Sequence, residues 1–259
     1  MTDSALPPTT TGYADVNGLH LYYEEYGTTG TALVLLHGGL LTIDLNFAEL
    51  IPRLAARHRV IAVELQGHGR TADIDRVISP ANSAGDVVAL LDHLGIERAH
   101  VLGHSMGGAV AMELAVSHPD RVLSVVPVSI TVRPEGMHPD FNDPEAMATS
   151  TRMPTADDMA AMKDAYTRLS PHPEHFDEFL GAMSSSDEDL KGWSDEQLAA
   201  VTAPVLFVIG DHDFTTVEHA GLMLEKTPGA QLLVLPGTTH MRATHRVDVL
   251  DPVLKTFLD

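Results

Sequence analysis

The chain has 259 residues, 44% of them hydrophobic and 20% charged, which suits one large domain with a full core and makes disordered and fibrous classes poor fits. Sixteen Lys and Arg against 36 Asp and Glu give a formal charge of -20; that field repels phosphate backbones and anionic membrane surfaces, so neither nucleic acid nor membrane is expected as a partner. The absence of cysteine excludes disulfide scaffolds, thiol catalysis and cysteine-ligated zinc.

The amino terminus, Met1 to Pro8, has no basic flank and no apolar run, and no later stretch approaches the roughly 18 apolar residues of a membrane span. A cytoplasmic protein is the expectation. Leu19 to Gly27 has a strand-like pattern, and Ala32-Leu33-Val34-Leu35-Leu36 is a short continuous apolar run that stops at His37-Gly38-Gly39. Such runs suit strands buried on both faces by helices. Phe47 to His58 places Phe47, Leu50, Ile51 and Leu54 on one helical face, and Val60 to Val63 is a second apolar run ending in Gly67-His68-Gly69.

Helix is expected again from Val87 to Leu94, with Gly95 as its carboxyl cap, followed by the strand Ala99 to Leu102, a helix from Met106 to Ser117 and a strand from Val122 to Val128. After Ser129 the character changes. Thr131 to Thr202 carries no convincing strand and is broken by Pro134, Pro139, Pro144, Pro154, Pro171 and Pro173, so it reads as a helical insertion. The alternation resumes with the strand Pro204 to Ile209, a helix over Glu218 to Lys226, the strand Gln231 to Leu235 and a helix from about Arg246 to Leu258. Strands alternating with helices imply right-handed crossovers and a mostly parallel sheet, whose carboxyl edge carries the chemistry. The expected division is a core of 1–130 and 203–259 around an insertion at 131–202.

Gly103-His104-Ser105-Met106-Gly107 is a G-x-S-x-G pattern. So short a pattern recurs by chance; its place between a strand and a helix makes it specific. A serine at that tight turn is held in a strained conformation, its neighbours two positions away must lack bulk, and the helix amino terminus lies beside any developing oxyanion. A serine hydroxyl needs a base, and a histidine oriented by a carboxylate is the usual solution. The strand Pro204 to Ile209 opens into Gly210-Asp211-His212-Asp213, and Gln231 to Leu235 opens into Pro236-Gly237-Thr238-Thr239-His240.

From about Asn17 to Leu258 the chain resembles the α/β-hydrolase superfamily, in the branch of small lidded esterases, lactonases, cofactor-free haloperoxidases and carbon-carbon hydrolases. The resemblance implies the α/β-hydrolase fold, a mostly parallel central sheet flanked by helices with 131–202 as a helical cap. It implies a triad in the order Ser105, Asp213, His240. In this branch the acid follows the glycine of the seventh strand by three positions, which favours Asp213 over Asp211; Glu135, after the sixth strand, is a weaker alternative. The oxyanion donors implied are the amides of Met106 and, from the loop His37-Gly38-Gly39-Leu40, of Gly39, with Leu40 next. His37 is read as a brace of that loop, and Gly67-His68-Gly69-Arg70-Thr71 as a structural turn.

Leu40, Trp193 and His104 are expected around the substrate, although Trp193 is equally suited to packing and His104 to a hydrogen bond; His245 is read as a surface residue. No cofactor is implied. With HExxH absent, and His172 and His175 in a proline-broken acidic segment, no metal is expected either. The insertion carries fifteen acidic against five basic residues, which favours neutral esters or lactones, unless Arg133 or Arg152 points inward. Carbon-carbon hydrolysis, enol-lactone hydrolysis and haloperoxidase or perhydrolase chemistry use the same triad, and a non-catalytic binding protein is the rival from another class. A homodimer is left open.

Overall fold

A computed structural model describes residues 6–184 and 192–259. Eight strands form one sheet: β1 (Thr10–Val16), β2 (Leu19–Tyr26), β3 (Ala32–Leu36), β4 (Arg59–Val63), β5 (Ala99–His104), β6 (Val122–Val128), β7 (Leu206–His212) and β8 (Gln231–Thr239). Their spatial order is β1-β2-β4-β3-β5-β6-β7-β8. Pairing is antiparallel at β1–β2 and β2–β4 and parallel from β4 onward.

The helices are α1 (Ile43–Phe47), α2 (Ile51–Ala55), α3 (Pro80–His93), α4 (Met106–Ser117), α5 (Pro144–Thr149), α6 (Ala156–Leu169), α7 (Phe176–Ser184), α8 (Asp195–Ala199), α9 (Val217–Lys226) and α10 (Val247–Leu258). The apolar runs are divided between the two faces by the period of two along a strand. Val34 and Leu36 of β3, with Ile61 and Val63 of β4, join the core formed with α3, α4 and α9. Leu33, Leu35, Val60 and Ala62 join the opposite core, with α1, α2 and α10. Leu33 to Leu36 are all fully buried, and each such side chain contributes about 1.5–3 kcal/mol relative to exposure.

Local chemistry explains where the pattern held and where it moved. Ser79 caps α3 by accepting from the Asn82 amide, Pro80 occupies the first turn, and Gly95 ends it with φ 65°. Of the helix expected over Phe47 to His58 only α2 forms, because α1 already ends at Phe47; Pro52, which has no amide hydrogen to donate, sits in the first turn of α2. β1 is additional to the expected strands. Its Thr-rich, half-exposed sequence carries little apolar signal, but Asn17 and Gly18 at φ 49° and 86° make the hairpin turn to β2.

Between β6 and β7 the described residues form α5 to α8 and short 3-10 turns. This segment reaches loops at the carboxyl ends of the strands. Phe179 of α7 lies in ring contact with His68, Arg152 donates to the Asp213 carbonyl, and Arg242, after β8, donates to Asp158. Among the described residues no helix is long and apolar enough to cross a membrane.

Candidate active site

β5 passes into α4 through Ser105, whose backbone stands at φ 53° and ψ -117°. Two absent side chains make that turn available. A Cβ on Gly103 would lie 2.0 Å from the Gly107 carbonyl oxygen, and one on Gly107 would lie 2.1 Å from the Leu36 carbonyl oxygen. The Ser105 amide donates to the Val128 carbonyl at 2.8 Å and the Gly107 amide to the His37 carbonyl at 3.1 Å, so β6 and the β3 loop lock the turn. The hydroxyl then stands at the amino end of α4, where the helix dipole favours negative charge.

His240, immediately after β8, joins the distant loops. Its Nε2 lies 2.9 Å from Ser105 Oγ and its Nδ1 lies 2.7 Å from Asp213 Oδ1. Asp213 is fully buried. Burial raises the Asp213 carboxyl, but the charge and hydrogen bond of His240, the Ser129 hydroxyl and the Gly210 amide outweigh it and hold the group well below the usual carboxylate range. The second oxygen accepts from Ser129 Oγ at 2.5 Å and from the Gly210 amide at 3.1 Å, and Oδ1 also accepts from the Phe214 amide at 2.6 Å. With both oxygens satisfied, the carboxylate has one orientation.

Asp211 is differently placed. Its carboxylate accepts from the Thr238 amide and from His212, tying the β7 turn to β8. Glu135 lies in the single turn Pro134–Gly136, near His219. The structure therefore brings Ser105, Asp213 and His240 together and leaves the other two acids outside.

The β3 loop is held from both sides. The Gly38 amide donates to Asn46 Oδ1 at 2.8 Å and the Leu40 amide to His68 Nε2 at 3.0 Å. His37 is buried; its Nε2 accepts the Leu65 amide and its Nδ1–H donates to the Gly38 carbonyl, while burial pushes its pKa down to about 3 and keeps it neutral. Among the described residues, the amides of Gly39 and Met106 donate to no protein group. The Leu40 amide, by contrast, is already engaged, and Leu40 itself stands at φ 61° against Tyr166, Phe176 and Phe179.

His104 is buried, and its Nε2–H donates to the His240 carbonyl at 3.0 Å. Burial, and then the neighbouring His240, push its pKa down, so it serves as a hydrogen-bonding partner of the His240 backbone. Trp193 is not brought to Ser105, Asp213 and His240. It is buried in the core that holds α4, with Leu198 and Val201, and its Nε1–H donates to Glu113 Oε2 at 2.8 Å; the apolar ring gains more from that core, and its one donor is satisfied there. His245 is partly buried, not at the surface.

Sequence reading passed over Ser129 and Phe214. Ser129 directly follows β6, the strand neighbouring β7, which is the one signal it offers. Phe214, next to Asp213, stacks on the His240 ring with centroids 3.8 Å apart and planes 7° from parallel. Away from this constellation, exposed His172, Glu174 and His175 are the group among the described residues whose ligand atoms lie within 4.8 Å of one another.

Known proteins share this architecture. Residues 33–251 match the model of the Alpha/beta hydrolase family. The chain is 31% identical over 272 residues to the dihydrolipoyllysine-residue acetyltransferase component of the acetoin cleaving system of Pseudomonas putida, across 95% of this chain and 68% of that protein. The protein of the same description from Cupriavidus necator is matched over 31% of its length. Est816, an N-acyl homoserine lactone degrading enzyme, shares 29% identity and a TM-score of 0.76 over 95% of this chain and 99% of its own. The enol-lactonase from Burkholderia xenovorans LB400 shares 26% identity and a TM-score of 0.77, again over 95% and 99%. The strand order, the strained serine between β5 and α4 and the match over 33–251 agree, and the chain belongs to the alpha/beta hydrolase family.

Proposed function

We propose that the chain is a serine hydrolase that cleaves carboxylic esters or lactones of small neutral substrates through an acyl-enzyme. The observation that carries this reading is His240 lying within hydrogen-bond reach of both Ser105 Oγ and Asp213 Oδ1, at 2.9 and 2.7 Å.

Because Nδ1–H faces a carboxylate, Nε2 carries the lone pair and takes the Ser105 proton as Oγ attacks the substrate carbonyl. The electron pair of the C=O bond moves to oxygen, and the resulting oxyanion accepts hydrogen bonds from the Gly39 and Met106 amides. On collapse, the bond to the leaving oxygen breaks and His240 returns the proton to that oxygen. Water, deprotonated by the same Nε2, then attacks the acyl carbon and releases Ser105. Asp213 balances the imidazolium in both halves.

The preference for neutral substrates rests on charge. The β6–β7 segment, read here as the lid, is strongly acidic, and its two arginines nearest that expectation are already engaged: Arg133 with Asp195, Arg152 with the Asp213 carbonyl. Arg152 Nε also lies 4.0 Å from Asp140 Oδ2, so each arginine already faces a carboxylate of this protein. The likeness to Est816 and to the enol-lactonase favours lactones within the class.

Incubation with a fluorophosphonate, followed by intact mass and peptide mapping, is expected to give one adduct on Ser105. An unlabelled Ser105 would remove the serine mechanism. A panel of lactones, simple esters and dicarboxylate monoesters then ranks the substrates, with the charged ones expected last.

A further inference from the structure

The turn Gly67–Thr71 follows β4, and the reaction described above does not use it. One of its side chains nevertheless reaches the oxyanion loop. His68 Nε2 accepts the Leu40 amide at 3.0 Å. That bond fixes the tautomer, so Nδ1 carries the proton and donates to the Gln66 carbonyl at 2.8 Å. Leu40 stands at φ 61°, a conformation that costs a branched side chain about 1 kcal/mol or more unless the surroundings impose it. Gly39 lies between two pinned amides, Gly38 on Asn46 and Leu40 on His68, and among the described residues its own amide meets no acceptor.

The same imidazole is touched from the other side by the β6–β7 segment. The Phe179 ring meets it edge-on, centroids 4.9 Å apart and planes at 85°. A Cβ on Gly67, at φ 75°, would come within 2.5 Å of that ring, so the turn is shaped to admit it. Phe179 also packs with Tyr166, Phe176 and Leu40. An α7 ring, a core-turn histidine and the oxyanion loop thus form one continuous contact path.

We propose that His68 is a positioning residue that aims the Gly39 amide at the reacting carbonyl through its bond to the Leu40 amide, and that Phe179 holds His68 in place, so that seating of α7 sets the oxyanion hole. This rests on the serine-hydrolase reading. Burial, which pushes the His68 pKa down to about 4, keeps the ring neutral and able to accept at ordinary pH.

The test uses the full chain, with kcat expressed per Ser105 titrated to completion by a fluorophosphonate on a neutral ester. His68→Phe keeps a buried ring against Phe179 and deletes the acceptor. Since losing a whole oxyanion donor costs roughly a hundred- to a thousand-fold, a misaimed one is expected to lower kcat about tenfold to a hundredfold. KM and the position of the pH limb should hold, because neither binding nor the Asp213–His240 pair is altered. His68→Gln, with an amide oxygen in reach of Leu40, should recover most of the loss. Wild-type kcat in His68→Phe, or equal loss in both variants, overturns the proposal. Phe179→Ala decides the coupling, and stands in for His68→Phe if that variant does not fold: kcat is expected to fall about threefold to tenfold, and an unchanged kcat overturns it. Failure of the serine reading itself is distinguishable, because wild-type Ser105 would then take no label.

Discussion

Ser129, directly after β6, donates its hydroxyl to Asp213 Oδ2 at 2.5 Å from a backbone held at φ 60°. The residue is buried, and its amide donates to the Val208 carbonyl at 2.7 Å, so β7 fixes the strained conformation. Hydrogen bonds to charged groups contribute about 1.5–3 kcal/mol. Ser129→Ala is therefore expected to lower kcat by roughly tenfold or more, with KM little changed, because Asp213 loses one of the bonds that orient it. Steady-state kinetics at saturating ester check this, and wild-type turnover would assign Ser129 to structure alone.

The two aspartates after β7 should separate cleanly. Asp213→Asn keeps the shape but presents the wrong partner to His240 Nδ1–H, and a loss on the order of ten-thousandfold in kcat is expected. Asp211→Asn loosens the turn to Thr238 and is expected to lower the urea midpoint while leaving kcat within about twofold of wild type, in line with a carboxylate that bonds Thr238 and His212 and not His240. Equal catalytic losses in the two variants would reverse the assignment.

The elbow makes a steric prediction. In Gly107→Ala the new methyl would stand 2.1 Å from the Leu36 carbonyl oxygen and 2.6 Å from that of His37, both backbone atoms that cannot rotate away. The expected cost is about 3 kcal/mol or more of stability, read by urea denaturation. A variant as stable as wild type would mean that the β3 loop and α4 are not packed as described.

Trp193→Phe tests whether that ring belongs to the core or to the substrate. Losing the bond to Glu113 should cost about 1 kcal/mol with kcat/KM within about twofold for acyl chains of different length. A change in chain-length preference would return Trp193 to the pocket.

Buried histidines set the pH dependence of stability. Burial pushes the pKa down to about 3 at His37 and about 4 at His68, and lowers it at His104, against an unfolded value near 6.5. Below pH 6.5 the unfolded chain binds three protons that the folded chain refuses until far lower pH. Stability is thus complete above about pH 7 and falls as pH drops, by roughly 2 kcal/mol per histidine at pH 5. Urea midpoints measured at pH 7.5 and 5.0 should differ accordingly, and equal midpoints would place these rings in water.

The sequence alone determined the alternation of strands and helices, the helical character of the segment after Ser129 and the strand ends from which Ser105, Asp213 and His240 project. Those features are written in local periodicity, in glycine spacing and in the order of strands, which a linear pattern preserves. The hairpin strand β1 was hidden because its threonines carry no apolar alternation, leaving only Asn17-Gly18 as a mark. Tertiary structure brought Asp213, which the resemblance already favoured over Asp211, onto His240, and it alone decided that the Leu40 amide is spent on His68, that Ser129 holds Asp213, and that Trp193 packs in the core. The bonds responsible join residues 27, 28, 84 and 80 positions apart. No local pattern records them, because they exist only once the sheet has set its loops side by side.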